Sequence, residues 1–302
     1  MNATSPWLPV SPCTPGACVD EPAVLAGPVR RAARLLGAIS VIFAGVPLAL
    51  GARWVSTARR ARVTMIWSRL LVRALGIRIE TRRGFAFMGG SVGGAVEAHA
   101  VPDGGTLLVG NHVSWLDPLV VAATTPGRLL AKREVGEWPL IRTLATGGGA
   151  LFIDRDRLSA LPEAVEAVAE ALRAGDTVVA FPEGTTWCGR EMGPFRPAVF
   201  QAAIDAGVPV QPMALRFLEG EGLSTAPGYV GEDTLLASIL RVTAIRDLRA
   251  EVTFFPGVRL RRRDIHSGRP HEARRTLARV AEAQVRAGVV EPHRETETVA
   301  AA

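Results

Sequence analysis

His112 and Asp117 stand five positions apart in the stretch Asn111-His112-Val113-Ser114-Trp115-Leu116-Asp117, directly after the apolar run from Thr106 to Gly110. That run reads as a buried strand, and open α/β sheets commonly present their chemistry where such strands end. An imidazole titrates near neutral pH and can serve as a general base once an acceptor on its second ring nitrogen fixes the tautomer. Asp117 is the residue type for that acceptor. Side chains five apart on a regular helix face different ways, so the pair requires an intervening turn, which Asp117-Pro118 supplies. The competing reading makes Asp117 a cap for a helix starting at Pro118 and leaves His112 to a loop backbone.

Three further segments tip that balance. Gly149 to Asp154-Arg155 ends a second strand in a charge pair, Phe181-Pro182-Glu183-Gly184-Thr185-Thr186 ends a third in a turn, and Val208 to Leu215 forms a fourth. In order and spacing after His112 they resemble the four-block signature of the glycerolipid acyltransferase (lysophospholipid acyltransferase) family, over residues 105 to 260 or so. Lys132-Arg133-Glu134, Trp138-Pro139-Leu140 and the stretch from Gly231 to Leu236 look like lesser family elements.

The resemblance implies an O-acyltransferase that moves a fatty acyl group from acyl-CoA or acyl-carrier protein to the free hydroxyl of a lysophospholipid, with no cofactor. The leading acceptor is 1-acyl-sn-glycerol-3-phosphate; a lyso-ornithine lipid or a zwitterionic lysophospholipid is the alternative. His112 is then the base and Asp117 its orienter. Arg155 has the planar fork that suits a phosphate, although a surface salt bridge with Asp154 or Asp156 accounts for it equally. Glu183, Gly184 and Thr185 match the acceptor-binding block, the glycine permitting a tight turn. Glu183 has a blander reading as a turn carboxylate on nearby amides. Pro209 and Pro212 suit either a substrate wall or an edge strand.

One departure bears on the acceptor. Many lysophosphatidate enzymes carry arginine after the Glu-Gly-Thr block, where this chain has Thr186 and then Trp187. Lys132, Arg190 or Arg196 could replace the missing phosphate-binding charge. Cys188 is the one thiol near a motif, but nothing beside it in sequence marks it as an activated nucleophile, so direct attack by the alcohol is preferred to an acyl-enzyme. Gly110-Asn111-His112 also occurs in metallophosphatases, yet their upstream Asp-x-His element is missing and His99 is the only earlier histidine. Cys13, Cys18 and Cys188 are too dispersed to suggest a disulfide framework or a metal site, so no metal is expected.

Composition is compatible with this chemistry. The 302 residues are 48% hydrophobic with formal charge +6, and almost all the basicity is arginine, Lys132 being the sole lysine. An anionic partner follows. Nucleic acid is disfavoured, because no nucleic-acid motif accompanies the charge and Tyr229 is the only tyrosine. A membrane surface fits better.

The elements that must position these residues follow from pattern. Residues 1–27 are proline-rich and read as a disordered tail, residues 28–76 as a membrane-anchoring helical segment, residues 77–290 as the acyltransferase domain, and residues 291–302 as a second tail. Leu35 to Ala52 is uncharged and apolar between Arg30, Arg31, Arg34 and Arg53, just long enough to span a bilayer, though Gly37, Gly45 and Pro47 favour dipping into one leaflet. A signal peptide fits less well, since the start is uncharged for too long. Trp54 to Leu75 alternates arginines with an apolar face, as a helix at an anionic bilayer surface does, or an ordinary packed helix with a solvated side. Helices and strands then alternate to the terminal helix from His271 to Arg286. The fold expected is α/β, a mixed, largely parallel sheet covered by helices, behind an N-terminal membrane-associated helical segment, with the catalytic domain on the cytoplasmic side of the membrane.

Overall fold

Strand β3 (Thr106–Gly110) is buried at every residue, so a helical layer must cover each face of the sheet that contains it. The computed structural model describes residues 9–84, 96–99, 104–154, 157–260 and 270–290, and in it both layers are present. Leu107 and Val109 point into one core with helices α6 (Leu161–Arg173), α7 (Ala198–Ala206) and the terminal helix α9 (Pro270–Val290). Leu108 points into the other, beneath α2 (Pro28–Gly51), α3 (Thr57–Ala74), α4 (Asp117–Thr124) and α8 (Leu235–Ala244). This is the two-residue period of a strand expressed as two separate cores.

The main path of the sheet runs β1 (Ile77–Arg83), β9 (Leu248–Phe254), β7 (Val210–Glu219), β3, β6 (Thr177–Ala180), β4 (Arg128–Lys132), β5 (Leu151–Ile153). Every neighbouring pair is parallel except β7 with β9, which gives the mixed, largely parallel sheet that the alternation of elements predicts. The short strand β8 (Gly222–Leu223) turns back on β7. The glycine-rich span from Gly84 to Gly105 contains strand β2 (Val96–His99), which pairs antiparallel with β10 (Gly257–Leu260); residues 85–95 and 100–103 lie outside the described residues. The proposed tail at 291–302 also lies outside them.

Two expectations about the N-terminus need correction. Residues 9–27, which include the one-turn helix α1 (Pro15–Cys18), are not a loose tail. Ala26 N–H bonds the Ala244 carbonyl at 2.8 Å, Arg246 N–H bonds the Val24 carbonyl at 2.8 Å, and Asp20 is held by Arg190 and Thr225. The prolines that suggested disorder lie in a strap whose backbone groups find partners on the domain instead.

Nor is the segment from 28 to 76 separate from the catalytic domain. Leu71 and Val72 of α3 are 4% and 1% exposed and share a core with Val120, Val121 and Leu108. Helix α2 is pinned along its length. Near its start, buried Arg34 donates to the carbonyls of Thr243, Ile245 and Arg246, neutralising the orphan acceptors at the C-terminal end of α8. In the middle, Trp67 Nε1 donates to the Val41 carbonyl at 2.9 Å, and a side chain at Gly45 would collide with that indole. Towards its end, Ala49 lies so close to Gly147 of α5 (Pro139–Gly147) that a Cβ there would meet it at 2.4 Å. The opposite face, with Leu36, Ile39 and Phe43, is exposed. Pro28–Trp54 is the one stretch among the described residues long and apolar enough to cross a membrane.

Candidate active site

Strand β3 ends at Gly110, and the next residue turns the chain back towards the sheet. Asn111 is buried and pairs through its side chain with the neighbouring strand, Nδ2 donating to the Leu215 carbonyl at 2.9 Å and Oδ1 accepting from Leu215 N–H at 2.8 Å. A side-chain amide thus continues the ladder where the backbone leaves it. His112 is the first residue released. Its Nδ1 lies 2.7 Å from Asp117 Oδ2, and the same oxygen accepts from the backbone N–H groups of Val113 at 2.5 Å and Ser114 at 2.8 Å. The four-residue turn expected between the two thus exists, and Asp117 both holds the imidazole and closes the turn at the start of α4. Asp117 is fully buried while the His112 side chain keeps 21% exposure, so Nε2 is the ring nitrogen left for a ligand. Phe181 stacks on the imidazole with centroids 4.6 Å apart and planes at 17°, which fixes its tilt.

Glu183 occupies a different position from the one its motif suggests. It is 2% exposed, its Oε2 accepts from His112 N–H at 2.5 Å and its Oε1 from Gly193 N–H at 2.8 Å. Both oxygens are spent on backbone amides, so the expectation that it orients the acceptor is corrected: it clamps the histidine loop to the loop around Gly193. Burial pushes its carboxyl well above the usual range, the two amides work against that, and the charge of Asp117 adds to it. Gly184 closes the turn with its N–H on the Phe181 carbonyl at 3.2 Å and has φ of 77°, where other residues are strained. Thr185 follows, half-buried. Trp187 N–H then bonds the His112 carbonyl at 2.7 Å, and Tyr229 N–H the Val113 carbonyl at 3.0 Å. Thr186, the departure noted in sequence, uses its hydroxyl to bond the Tyr229 carbonyl.

A cleft of about 330 Å³ opens beside this turn, between Leu161, Val165 and Val168 of α6 and the Phe181-Pro182 segment. Its lining is mostly apolar, with Arg157, Arg196 and Arg274 as the basic members and Pro9 of the strap against Gly184. Arg196 is therefore at the cleft. Arg190 is not free to serve as a phosphate ligand, because its guanidinium holds both Asp20 oxygens at 2.9 and 2.8 Å. Lys132 closes β4 and is exposed. Arg155 lies outside the described residues. Cys188 is buried and burial pushes its thiol up, the opposite of what a nucleophile needs. The roles of Asn111, Phe181 and Gly193 escaped the sequence reading; for Asn111 the available signal was an amide side chain directly after a fully apolar strand.

At the strand exit, then, an imidazole is held through Nδ1 by a buried carboxylate, with Glu183 tying the loops behind it and Nε2 left open to a ligand. The comparisons with known proteins place the chain in a family. The acyltransferase family profile matches residues 95–216. The chain is 34% identical over 228 residues to lyso-ornithine lipid O-acyltransferase of Pseudomonas aeruginosa, covering 70% of this chain and 77% of that one. It is 30% identical over 289 residues to the Rhodobacter capsulatus enzyme of the same name, covering 89% and 94%. With 1-acyl-sn-glycerol-3-phosphate acyltransferase of Neisseria gonorrhoeae the identity is 35% over 150 residues, half of this chain and 59% of that enzyme's length. The chain belongs to the acyltransferase family. Its fold matches that of the 1-acyl-sn-glycerophosphate acyltransferase of Thermotoga maritima, with a TM-score of 0.58 at 17% identity, over 86% of this chain and 93% of that one.

Proposed function

We propose that the protein transfers a fatty acyl group from a thioester donor, acyl-CoA or acyl-carrier protein, to the free hydroxyl of a lysolipid. The observation that carries this is the His112–Asp117 pair, with Nδ1 held at 2.7 Å and the opposite nitrogen open. In the reaction, Nε2 takes the hydroxyl proton as the oxygen attacks the thioester carbonyl, Asp117 stabilises the imidazolium, and the proton leaves with the departing thiolate when the C–S bond breaks. The apolar cleft beside Phe181 suits an alkyl chain and its arginines suit the anionic part of a lipid or donor. The leading acceptor is 1-acyl-sn-glycerol-3-phosphate, named for the Neisseria relatives. A lyso-ornithine lipid is the second reading. It is favoured by relatives of that name that match more of the chain, and by Thr186 in place of a phosphate-binding arginine.

The enzyme works at the cytoplasmic face of the membrane, with α2 lying in one leaflet. A helix fastened to the domain at Arg34, Val41 and Ala49 is fixed along it, and only its outer face is left for lipid.

The test is the purified protein with a panel of lysolipids and both donor types, products read by mass spectrometry. His112→Ala abolishes product, and no acylated protein accumulates when donor is supplied alone; a folded His112→Ala variant with normal turnover defeats the reading. The same panel decides the acceptor. If lysophosphatidate is bound through Arg155, Arg155→Ala raises its KM roughly tenfold to a hundredfold, the worth of a charge-assisted contact of about 1.5–3 kcal/mol. Preference for lyso-ornithine lipid with an unchanged KM in that variant selects the second reading.

A further inference from the structure

The chain has three cysteines, and sequence separates Cys13 and Cys18 from Cys188 by about 170 positions. In the fold the expectation that they are dispersed fails. One sulfur from each lies within 4.8 Å of the other two, at the junction of the N-terminal strap, the loop after the Glu183 turn and the loop at Val230. Cys13 and Cys188 are buried, Cys18 partly exposed, and all three are free thiols.

Buried cysteines often act as small hydrophobes, but three sulfurs brought from two distant segments to within 4.8 Å of one another have the ligand type and closeness of a thiolate metal site. The Ser11 hydroxyl and the Cys188 backbone N–H both serve the sulfur of Cys13, and the Arg190 N–H serves that of Cys188. The Cys188-Gly189-Arg190 turn that aims this amide requires φ of 92° at Gly189. The Arg190 guanidinium stands near the cluster, paired with Asp20 of the strap.

We propose that Cys13, Cys18 and Cys188 form a three-thiolate site for one Zn²⁺ ion, with the fourth position open to a solvent ligand on the exposed side of Cys18, and that the ion staples the strap to the loop behind the catalytic histidine. Zinc–sulfur bonds of about 2.3 Å in a tetrahedron put sulfurs roughly 3.8 Å apart, so the thiols need close in by only about 1 Å, within reach of side-chain rotation. Binding replaces the remaining S–H protons with metal–sulfur bonds and releases them to solvent. A disulfide is the weaker use of the cluster, since joining any two thiols leaves the third unpaired. The consequence reaches the site through Trp187, which precedes Cys188 and whose N–H bonds the His112 carbonyl.

The experiment uses the full chain purified in detergent under reducing conditions, with metal content measured by mass spectrometry and Co²⁺ as an optical probe. The expected result is one Zn²⁺ per chain. Co²⁺ should give thiolate-to-metal charge-transfer and tetrahedral d–d bands that one equivalent of Zn²⁺ bleaches. Zn²⁺ should also protect all three thiols from alkylation, and a chelator should expose them while increasing amide exchange in residues 9–20. Cys18→Ser, which leaves the two buried sulfurs in place, should weaken Co²⁺ binding by a hundredfold or so. Wild-type protein with reduced thiols and no charge-transfer band overturns the proposal without recourse to any variant. So does a disulfide between any two of these cysteines in protein kept under reductant.

Discussion

A carboxyl group that is 2% exposed and accepts from two backbone N–H groups does not behave like one that faces a substrate. Replacing Glu183 with glutamine keeps one acceptor and turns the other into a donor aimed at a donor, a cost of about 1–3 kcal/mol. Glu183→Gln is therefore expected to lower the melting temperature and kcat while the acceptor KM stays within twofold; a large KM rise in folded protein would instead make Glu183 an acceptor ligand. The pH dependence has a definite sign. The folded carboxyl lies above its unfolded value of about 4.3, so the folded state keeps a proton that the unfolded chain gives up. Stability from this group is fully present below the unfolded value and is lost as pH rises through the folded one. Denaturant melts of wild type and Glu183→Gln across mildly acid to neutral pH should show that extra decline only in wild type. Asp117→Asn is the companion case. The asparagine carbonyl can still accept from Val113 and Ser114, so the fold survives, but the imidazole loses the anion that fixes its tautomer, and kcat is expected to fall about 10²-fold or more in steady-state assays. The histidine and aspartate could be read from sequence because they meet through a local turn. For Glu183 the motif left acceptor binding and a carboxylate on backbone amides both open; burial and the contact with Gly193, which a motif does not show, are what favour the second.

At the scale of elements, the seat of α2 rests on small residues. Gly147 meets Ala49, and Gly45 meets the Trp67 indole, with no room for a Cβ at either contact. Gly147→Val is expected to push α2 away from α5 at a cost of about 1–3 kcal/mol, read as a lower melting temperature with an intact secondary-structure signal. The alternating strands and helices were legible because β3, β6 and β7 are apolar in runs and α6 has a clear helical period ending at Gly175. The strap was not. Its contacts join residues some 200 positions apart, such as Asp20 with Thr225 and Ala23 with Glu219, and such pairings leave no periodicity in either segment. Its prolines signal only that it is neither helix nor strand, a condition that a docked strap and a disordered tail share. Helix α3 left two readings open for a related reason: an arginine-rich helix with an apolar stripe looks the same in sequence whether the stripe meets lipid or a core, and here Leu71 and Val72 join the core while Ile66 and Leu70 stay exposed.

Among the described residues, the outer face of the α2–α3 pair leaves large apolar side chains uncovered. Leu36 and Phe43 of α2 are 65% and 64% exposed, Ile66 and Leu70 of α3 are 56% and 53%, and Arg53, Arg60 and Arg142 border a cavity of about 610 Å³ alongside α5. Apolar side chains beside arginines match the layered chemistry of an anionic bilayer surface. Because α2 and α3 also complete the core, removing residues 1–75 should unfold the protein and would say nothing about the membrane. The informative change leaves the packed faces alone: Leu36→Ser, Phe43→Ser and Ile66→Ser together. Burying such side chains contributes about 1.5–3 kcal/mol each, so even partial immersion of three makes a partition difference on the order of 10²-fold. The triple variant is expected to keep its melting temperature and its turnover of a short-chain soluble acceptor, and to lose vesicle binding and turnover of bilayer-embedded lysolipid. The remaining binding of the wild type should weaken with salt, as the arginines require. Equal losses on both substrates would mean that this face serves the fold and that the domain meets the bilayer elsewhere.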